Sequence, residues 1–257
     1  MQFYIKMKIP LFLLSSLLIV SSVSASDTPL KVFVFSGQSN MVGMRSVGEE
    51  LPAEMQKPNP KALFWTGTEW KPIAPGVSEP KGFGPEISFA SHYTQTTGET
   101  IGIIKHSVGG TPIERWQPKE GKNLYTVLEE KVKAAAKSRP IEVVGMLWMQ
   151  GERDSKDEEK APLYEARLRM LVEGSREVFE SPQMIFIAGR VNPPKDRYLY
   201  VEEVRKAQST LDIDGYTFID CDDLELGPDK LHFNTKGVEK MGEKFATAMV
   251  EQLEKQK

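Results

Sequence analysis

Leu30-Lys31-Val32-Phe33-Val34-Phe35-Ser36-Gly37-Gln38-Ser39-Asn40-Met41-Val42-Gly43 is an apolar, β-branched and aromatic run that stops abruptly and delivers three polar side chains. That pattern predicts a buried strand ending in a tight turn. In an open parallel α/β sheet, ligands bind beyond the carboxyl ends of the strands, so a serine placed there sits where chemistry is done. Ser39 is therefore a candidate nucleophile; the alternative is that Ser39 or Asn40 only caps the next helix.

Four more runs of the same kind follow: Ile101–His106, Ile141–Met149, Met184–Ala188 and Tyr216–Asp220. Stretches with helical spacing separate them, from Glu86 to about Gly98, from Asn123 to about Lys137, from Pro162 to about Glu180, around Tyr200–Leu211, and after Asn234. Asn123 and Asn234 are expected N-caps, and Gly174 is expected to weaken or bend its helix. Strands alternating with helices predict an α/β chain with a parallel sheet covered on both faces. Residues 45–81, rich in Pro and Gly, read as a long irregular excursion with one edge strand at Ala62–Trp65. Trp65 and Trp70 there either line a sugar-binding cleft or cover the edge of the core.

Each predicted strand ends in a polar turn. Gly109-Gly110 follows His106, and such a turn aims N–H groups at a ligand, which makes Gly110 a candidate oxyanion donor. Gln150 follows Met149 with an amide able to donate to developing negative charge. Asp229 and His232 are three residues apart, a spacing that lets the carboxylate meet imidazole Nδ1 while Nε2 faces outward. Together these turns offer nucleophile, base, orienting acid and oxyanion donors, the parts acyl transfer requires. Glu86, in the first turn of its helix, favours the helix dipole. His106 is expected to be structural and His92 to lie on a helix surface.

The chain resembles the SGNH (GDSL-like) hydrolases, within them the carbohydrate esterase family 6 and sialate O-acetylesterase-like group. The resemblance rests on Gly37-Gln38-Ser39-Asn40-Met41, Gly109-Gly110-Thr111 with Glu114 and Trp116, Trp148-Met149-Gln150-Gly151-Glu152 with Asp154, and Asp229-Lys230-Leu231-His232. It implies a three-layer α/β/α sandwich around a mainly five-stranded parallel sheet of flavodoxin-like type, and serine esterase chemistry with no metal or other cofactor. Acetylated carbohydrates are the implied substrates. Ser39 would be nucleophile, His232 general base and Asp229 the orienting acid, with Glu152 a rival for that last role. The backbone N–H groups of Ser39 and Gly110 would join Gln150 in the oxyanion hole. Gln38, Asn40, Glu114, Arg115 and Glu152 remain substrate-contacting or supporting candidates. A lipase or thioesterase on the same scaffold, and a silent glycan-binding protein, are the competing readings. Acetylxylan and acetylated sialic acid differ in charge, and Arg45, Arg115 and Arg190 are the residues to watch for a substrate carboxylate.

The first 25 of the 257 residues have the layout of a secretory signal peptide. Lys6 and Lys8 precede an apolar run from Ile9 to Val20, and Val23-Ser24-Ala25 supplies the cleavage site. Residues 26–257 are then expected to form one esterase domain, secreted or periplasmic and without stable membrane association. Losing two lysines and no acid leaves 31 basic against 36 acidic groups and takes the formal charge from −3 to −5. A mildly acidic surface argues against nucleic acid as a partner. Cys221, the single cysteine, cannot form an internal disulfide and is expected to be a buried, inert thiol.

Overall fold

A computed structural model describes residues 28–79, 82–118 and 121–257; the expected signal peptide lies outside them. Among the described residues, seven strands form one sheet: β1 (Leu30–Gly37), β2 (Asn59–Trp65), β3 (Trp70–Ile73), β4 (Ile101–Ser107), β5 (Ile141–Met149), β6 (Ile185–Arg190) and β7 (Tyr216–Asp220). The order is β3-β2-β4-β1-β5-β6-β7, parallel throughout except where β3 runs against β2. The five expected strands are all present. The excursion holds more structure than its composition suggested: β2 lies inside the sheet, parallel to β4, and β3 is the edge. The expected strand at Ala62–Trp65 is the greater part of β2, but it is not the edge; β3, which contains Pro72, is the strand the sequence reading missed. Trp65 and Trp70 pack on each other, ring centroids 5.4 Å apart, and Trp70 Nε1 donates to Ser138 Oγ at 2.9 Å. They cover the sheet edge rather than forming a sugar platform.

Among the described residues, six α-helices accompany the sheet: α1 (Ser39–Val42), α2 (Glu86–Thr97), α3 (Leu124–Ser138), α4 (Tyr164–Val178), α5 (Val201–Thr210) and α6 (Thr235–Lys255). The strands' period of two divides their side chains between two helical layers. Phe33 and Phe35 meet Phe89 of α2, Phe33 also meets Tyr93, and α2 packs on α6. On the opposite face Trp148 Nε1 donates to the hydroxyl of Tyr164 on α4, which packs on α5. Phe33 is fully buried, so Phe33→Ala would cost about 3–5 kcal/mol. Asn123 and Asn234 cap α3 and α6 through bonds from Thr126 N–H and Gly237 N–H. Helix α4 runs unbroken through Gly174; a Cβ there would come within 2.5 Å of Pro118, so the glycine admits a close approach of that residue. Cys221 is buried, and burial pushes its thiol pKa upward. No helix among the described residues is long and apolar enough to cross a membrane.

This strand order fixes where a site forms. After β1 the chain lays down β2, β3 and then β4 on one side of it and crosses to β5 on the other, so the direction of winding reverses between β1 and β5. Loops diverge at such a reversal and open a crevice at the carboxyl ends of the strands. Ser39 follows β1 there and Gln150 follows β5.

Candidate active site

The β1 turn is tight because three strands meet at it. Gln38 N–H donates to Met149 O at 2.9 Å, and Val108 N–H donates to Gly37 O at 3.0 Å. Gly37 has φ +147°, and a side chain there would run into the Met149 carbonyl. The next residue can only turn sharply upward, into α1, with Ser39 at its first position. Gly43 closes this one-turn helix at φ +85°, donating to Ser39 O at 3.0 Å, in a spot where a side chain would strike the Phe83 carbonyl. The Phe83 segment is in turn held by Ser46 Oγ, which accepts from Phe83 N–H at 2.8 Å.

The structure brings the ends of the chain together over this turn. Ser39 Oγ lies 3.0 Å from His232 Nε2, and His232 Nδ1 lies 2.9 Å from Asp229 Oδ2. A carboxylate only accepts, so Nδ1 carries the proton and Nε2 is left to accept the serine hydroxyl. Asp229 folds its own loop around the imidazole: Oδ1 accepts the N–H groups of Leu231 at 3.0 Å and His232 at 2.9 Å. This compact turn puts Lys230 at φ +54°, in the left-handed region. Partial burial alone would raise the Asp229 carboxyl. The His232 N–H and imidazole, the Leu231 N–H and Arg45 outweigh it and hold the pKa far below the usual range.

Arg45 is tied to the orienting acid: its Nε donates to Asp229 Oδ2 at 3.1 Å. Arg197 adds a bond to the Asp229 carbonyl at 2.9 Å. Arg190 is bound by Asp220 and Asp222, and Glu114 by Lys160 at 2.8 Å and Arg167 at 3.5 Å. Arg115 is exposed and, among the described residues, has no ion-pair partner.

Asn40 and Glu152 act together on the histidine loop. Asn40 Oδ1 accepts from Phe233 N–H at 3.1 Å, and its Nδ2 donates to Leu231 O at 3.3 Å and to Glu152 Oε1 at 2.7 Å. One buried amide beside the nucleophile therefore grips the residues on either side of His232. Glu152 orients that amide and makes no hydrogen bond to the imidazole, so Asp229 alone occupies the acid position. Burial pushes the Glu152 carboxyl upward against the pull of its backbone bond, Asn40 and His232.

The oxyanion side departs from expectation at Gln150. Its Nε2 is fully buried and donates to Asp154 Oδ2 at 2.7 Å and Thr111 O at 2.9 Å, with Gln38 Oε1 further off at 3.3 Å. Two hydrogens already have two good acceptors, so none is left for substrate. Among the described residues, the backbone N–H groups of Ser39 and Gly110 meet no acceptor. Gly110 sits at φ +71° with open space on its side-chain face, and Gly109 supplies the close approach, its Cβ position being 3.6 Å from Ser39 Cβ.

Beneath the turn lies a charge cluster that sequence patterns did not reveal. Lys105, nearly fully buried, pairs with Glu86 at 2.9 Å and Glu79 at 3.0 Å and reaches the Val42 carbonyl of α1 at 3.5 Å. A lysine amid the apolar run of β4 was the available signal. His106, beside it, packs on Trp116, and burial together with Lys131 lowers its pKa to about 4. Among the described residues, no group of three His, Cys, Asp or Glu side chains is placed to hold a metal ion.

Residues 29–251 match the protein family described as carbohydrate esterase, sialic acid-specific acetylesterase. The chain belongs to this family. It is accordingly a carbohydrate acetylesterase, and the resemblance read from its motifs holds along nearly the whole described length. It is 29% identical over 243 residues to the probable carbohydrate esterase At4g34215 of Arabidopsis thaliana, covering 86% of this chain and 90% of that one. The crystal structure of that protein superposes with a TM-score of 0.78 at 24% identity, covering 87% of this chain and 99% of the other. XAC1771, a carbohydrate acetylesterase from Xanthomonas citri, gives 0.67 at 20% identity over 85% of this chain and 55% of its own. Both share the fold of this esterase.

Proposed function

We propose that this esterase removes O-acetyl groups from carbohydrates by a Ser39–His232–Asp229 mechanism. The carrying observation is the unbroken relay from Ser39 Oγ through His232 to Asp229, at 3.0 and 2.9 Å. His232 Nε2 takes the hydroxyl proton as Ser39 Oγ bonds to the acetyl carbonyl carbon, and the carbonyl oxygen becomes an oxyanion. When the intermediate collapses, the bond to the sugar oxygen breaks and His232 returns the proton to that oxygen. Water then attacks the acetyl-serine, giving its proton to His232, and acetate leaves as Ser39 recovers the proton. Asp229, held ionised, steadies the imidazolium that exists between these transfers.

Acetylated xylan or a related neutral glycan is the first substrate reading, in keeping with an acidic mature chain. An O-acetylated sialic acid is the second. It is favoured by Arg153 and Arg115, which are exposed just after site motifs, Arg115 in a 3-10 turn (Ile113–Trp116), and lack ion-pair partners among the described residues. Export is proposed from the charged, apolar and small-residue layout of residues 1–25. The test is acetate release from acetylated xylan, O-acetyl sialic acid and acetylated simple sugars, by the native protein and by Ser39→Ala. A Ser39→Ala variant with normal activity would sink the mechanism. Faster hydrolysis of octanoyl than acetyl esters would favour the lipase reading. No labelling of the native protein by a fluorophosphonate would favour a silent glycan-binding protein.

A further inference from the structure

The segment that leaves the nucleophile's turn is stitched to the loop that carries the base. Arg45, just beyond the Gly43 cap of α1, forms a parallel β-bridge with Asn234, and Val47 N–H donates to Thr235 Oγ1 at 3.0 Å. The Arg45 stem lies over Gly227, where a Cβ would meet Arg45 Cγ at 3.6 Å. Its Nε thereby reaches Asp229 Oδ2 at 3.1 Å, the same oxygen that faces His232 Nδ1 at 2.9 Å. Asp229 Oδ1 is taken by the N–H groups of Leu231 and His232. One carboxylate oxygen is therefore shared between the imidazole it orients and a cation supplied by the nucleophile's own segment.

A guanidinium stays charged wherever an esterase works, and two cations sharing one acceptor repel each other. The neutral ring, whose Nε2 can take the Ser39 proton, meets no such repulsion. We propose that Arg45 is a positioning residue for the general base: it holds the Asp229 carboxylate against His232, and its charge extends the working range of that base to lower pH. This rests on the Ser39–His232–Asp229 reading. The other charges about the ring come from other places. Glu152, from the turn after β5, acts through Asn40, and Arg197, from the loop before α5, bonds only the Asp229 carbonyl. Tyr198, beside it, is kept protonated by burial, and Lys230 is exposed. Among the described residues, Arg45 is, apart from His232 itself, the one cationic side chain bonded to the Asp229 carboxylate.

Three variants separate the charge from the hydrogen bond. Arg45→Met keeps only the stem, Arg45→Lys keeps the charge, and Arg45→Gln places an amide nitrogen as many bonds from the backbone as Nε, so it keeps a donor without the charge. All are compared with wild type on p-nitrophenyl acetate, which offers no carboxylate, across acidic to neutral pH, with Ser39→Ala as control. Below its plateau kcat/KM falls because the free enzyme's base takes up a proton. Removing a neighbouring positive charge makes that uptake easier, so the fall should begin at higher pH. The low-pH limb should move up by about half a unit to one unit in Arg45→Met and Arg45→Gln, the exposure of Arg45 keeping the shift below that of a buried pair. Arg45→Lys should stay nearer the wild-type limb than either neutral variant. Plateau kcat should fall by no more than about fivefold, because Asp229 keeps its bonds to Leu231 and His232. The proposal is overturned if the limb stays in place or moves down in both neutral variants, or if Arg45→Lys moves as far as Arg45→Met. It is also overturned if the variants differ from wild type only in KM for an acetyl sugar bearing a carboxylate, since Arg45 would then be a substrate contact. Thermal midpoints report folding, and should Arg45→Met not fold, folded Arg45→Gln decides on the same limb. Full activity of Ser39→Ala would overturn the nucleophile assignment itself, a separable outcome.

Discussion

Asn40→Leu tests whether the amide beside the nucleophile is what holds the general base in place. The substitution roughly conserves volume but removes the acceptor for Phe233 N–H and the donors to Leu231 O and Glu152 Oε1. Phe233 and Glu152 are each only 2% exposed, so at least two buried polar groups lose their partner. At about 1–3 kcal/mol for each, stability should drop by about 2–6 kcal/mol. The catalytic effect arises separately. Residues 231 and 233 lose their tie to α1, and a displacement of the imidazole by about 1 Å from Ser39 is worth about a hundredfold in rate. Urea denaturation gives the first quantity; kcat and KM on p-nitrophenyl acetate, well below the midpoint, give the second. The specific expectation is a large fall in kcat with little change in KM. A folded Asn40→Leu enzyme with native kcat would refute the reasoning, because Asp229 alone would then suffice to position His232.

Asp229→Asn should lower kcat by about a thousand- to ten-thousandfold, as loss of the orienting acid does in serine proteases, whereas Glu152→Gln should cost less than about tenfold. The reverse ranking would transfer the acid role to Glu152. Glu86→Gln leaves the buried Lys105 ammonium with Glu79 alone and should destabilise the fold by about 2–4 kcal/mol, while Lys105→Met combined with Glu86→Leu should recover much of that. Denaturation midpoints check this, with Lys133→Gln, which removes an exposed partner of the Glu129 pair, as a control expected to cost less than about 1 kcal/mol. His106 gives a pH signature. The unfolded side chain binds a proton near its ordinary value of 6.5, but the folded one does so only near 4. Below 6.5 the unfolded state therefore binds more protons, and stability should fall progressively as pH drops from 6.5 to 4. Allowing for partial solvent screening, the loss is about 1–2 kcal/mol, and it should be absent in His106→Phe when midpoints are compared across that range.

The motif residues differed in how far sequence alone could place them. Asp229 and His232 were legible because three residues of chain confine them, so their contact is local. Ser39, too, could be put at a strand's carboxyl end from hydrophobic period alone. Gln150 was misread because the hydrogens of an amide go to whichever acceptors folding brings nearest, and Thr111 is 39 residues away in the chain. Asn40 and Glu152, 112 residues apart, could be marked as candidates but not joined. The counter-ions of Glu114 and Arg190 could not be named from the sequence, because they lie 46 and 30 residues away along the chain. The Lys105 cluster escaped notice because its carboxylates come from a loop and a helix start that carry no periodic signal.

From residue order alone came the alternation of strand and helix, the edge of the sheet at which polar turns gather, and the kinds of chemical group they carry. Those follow from side-chain period, capping and backbone restriction, which act over a few residues. Only the tertiary structure decided the insertion of β2 and β3 beside β4, the meeting of Ser39 with His232 across 193 positions, and the atom each amide hydrogen serves. Hydrogen bonds are short-ranged and directional, so which donor stays free for an oxyanion is settled by packing to a few tenths of an ångström, a scale that spacing along a chain does not encode.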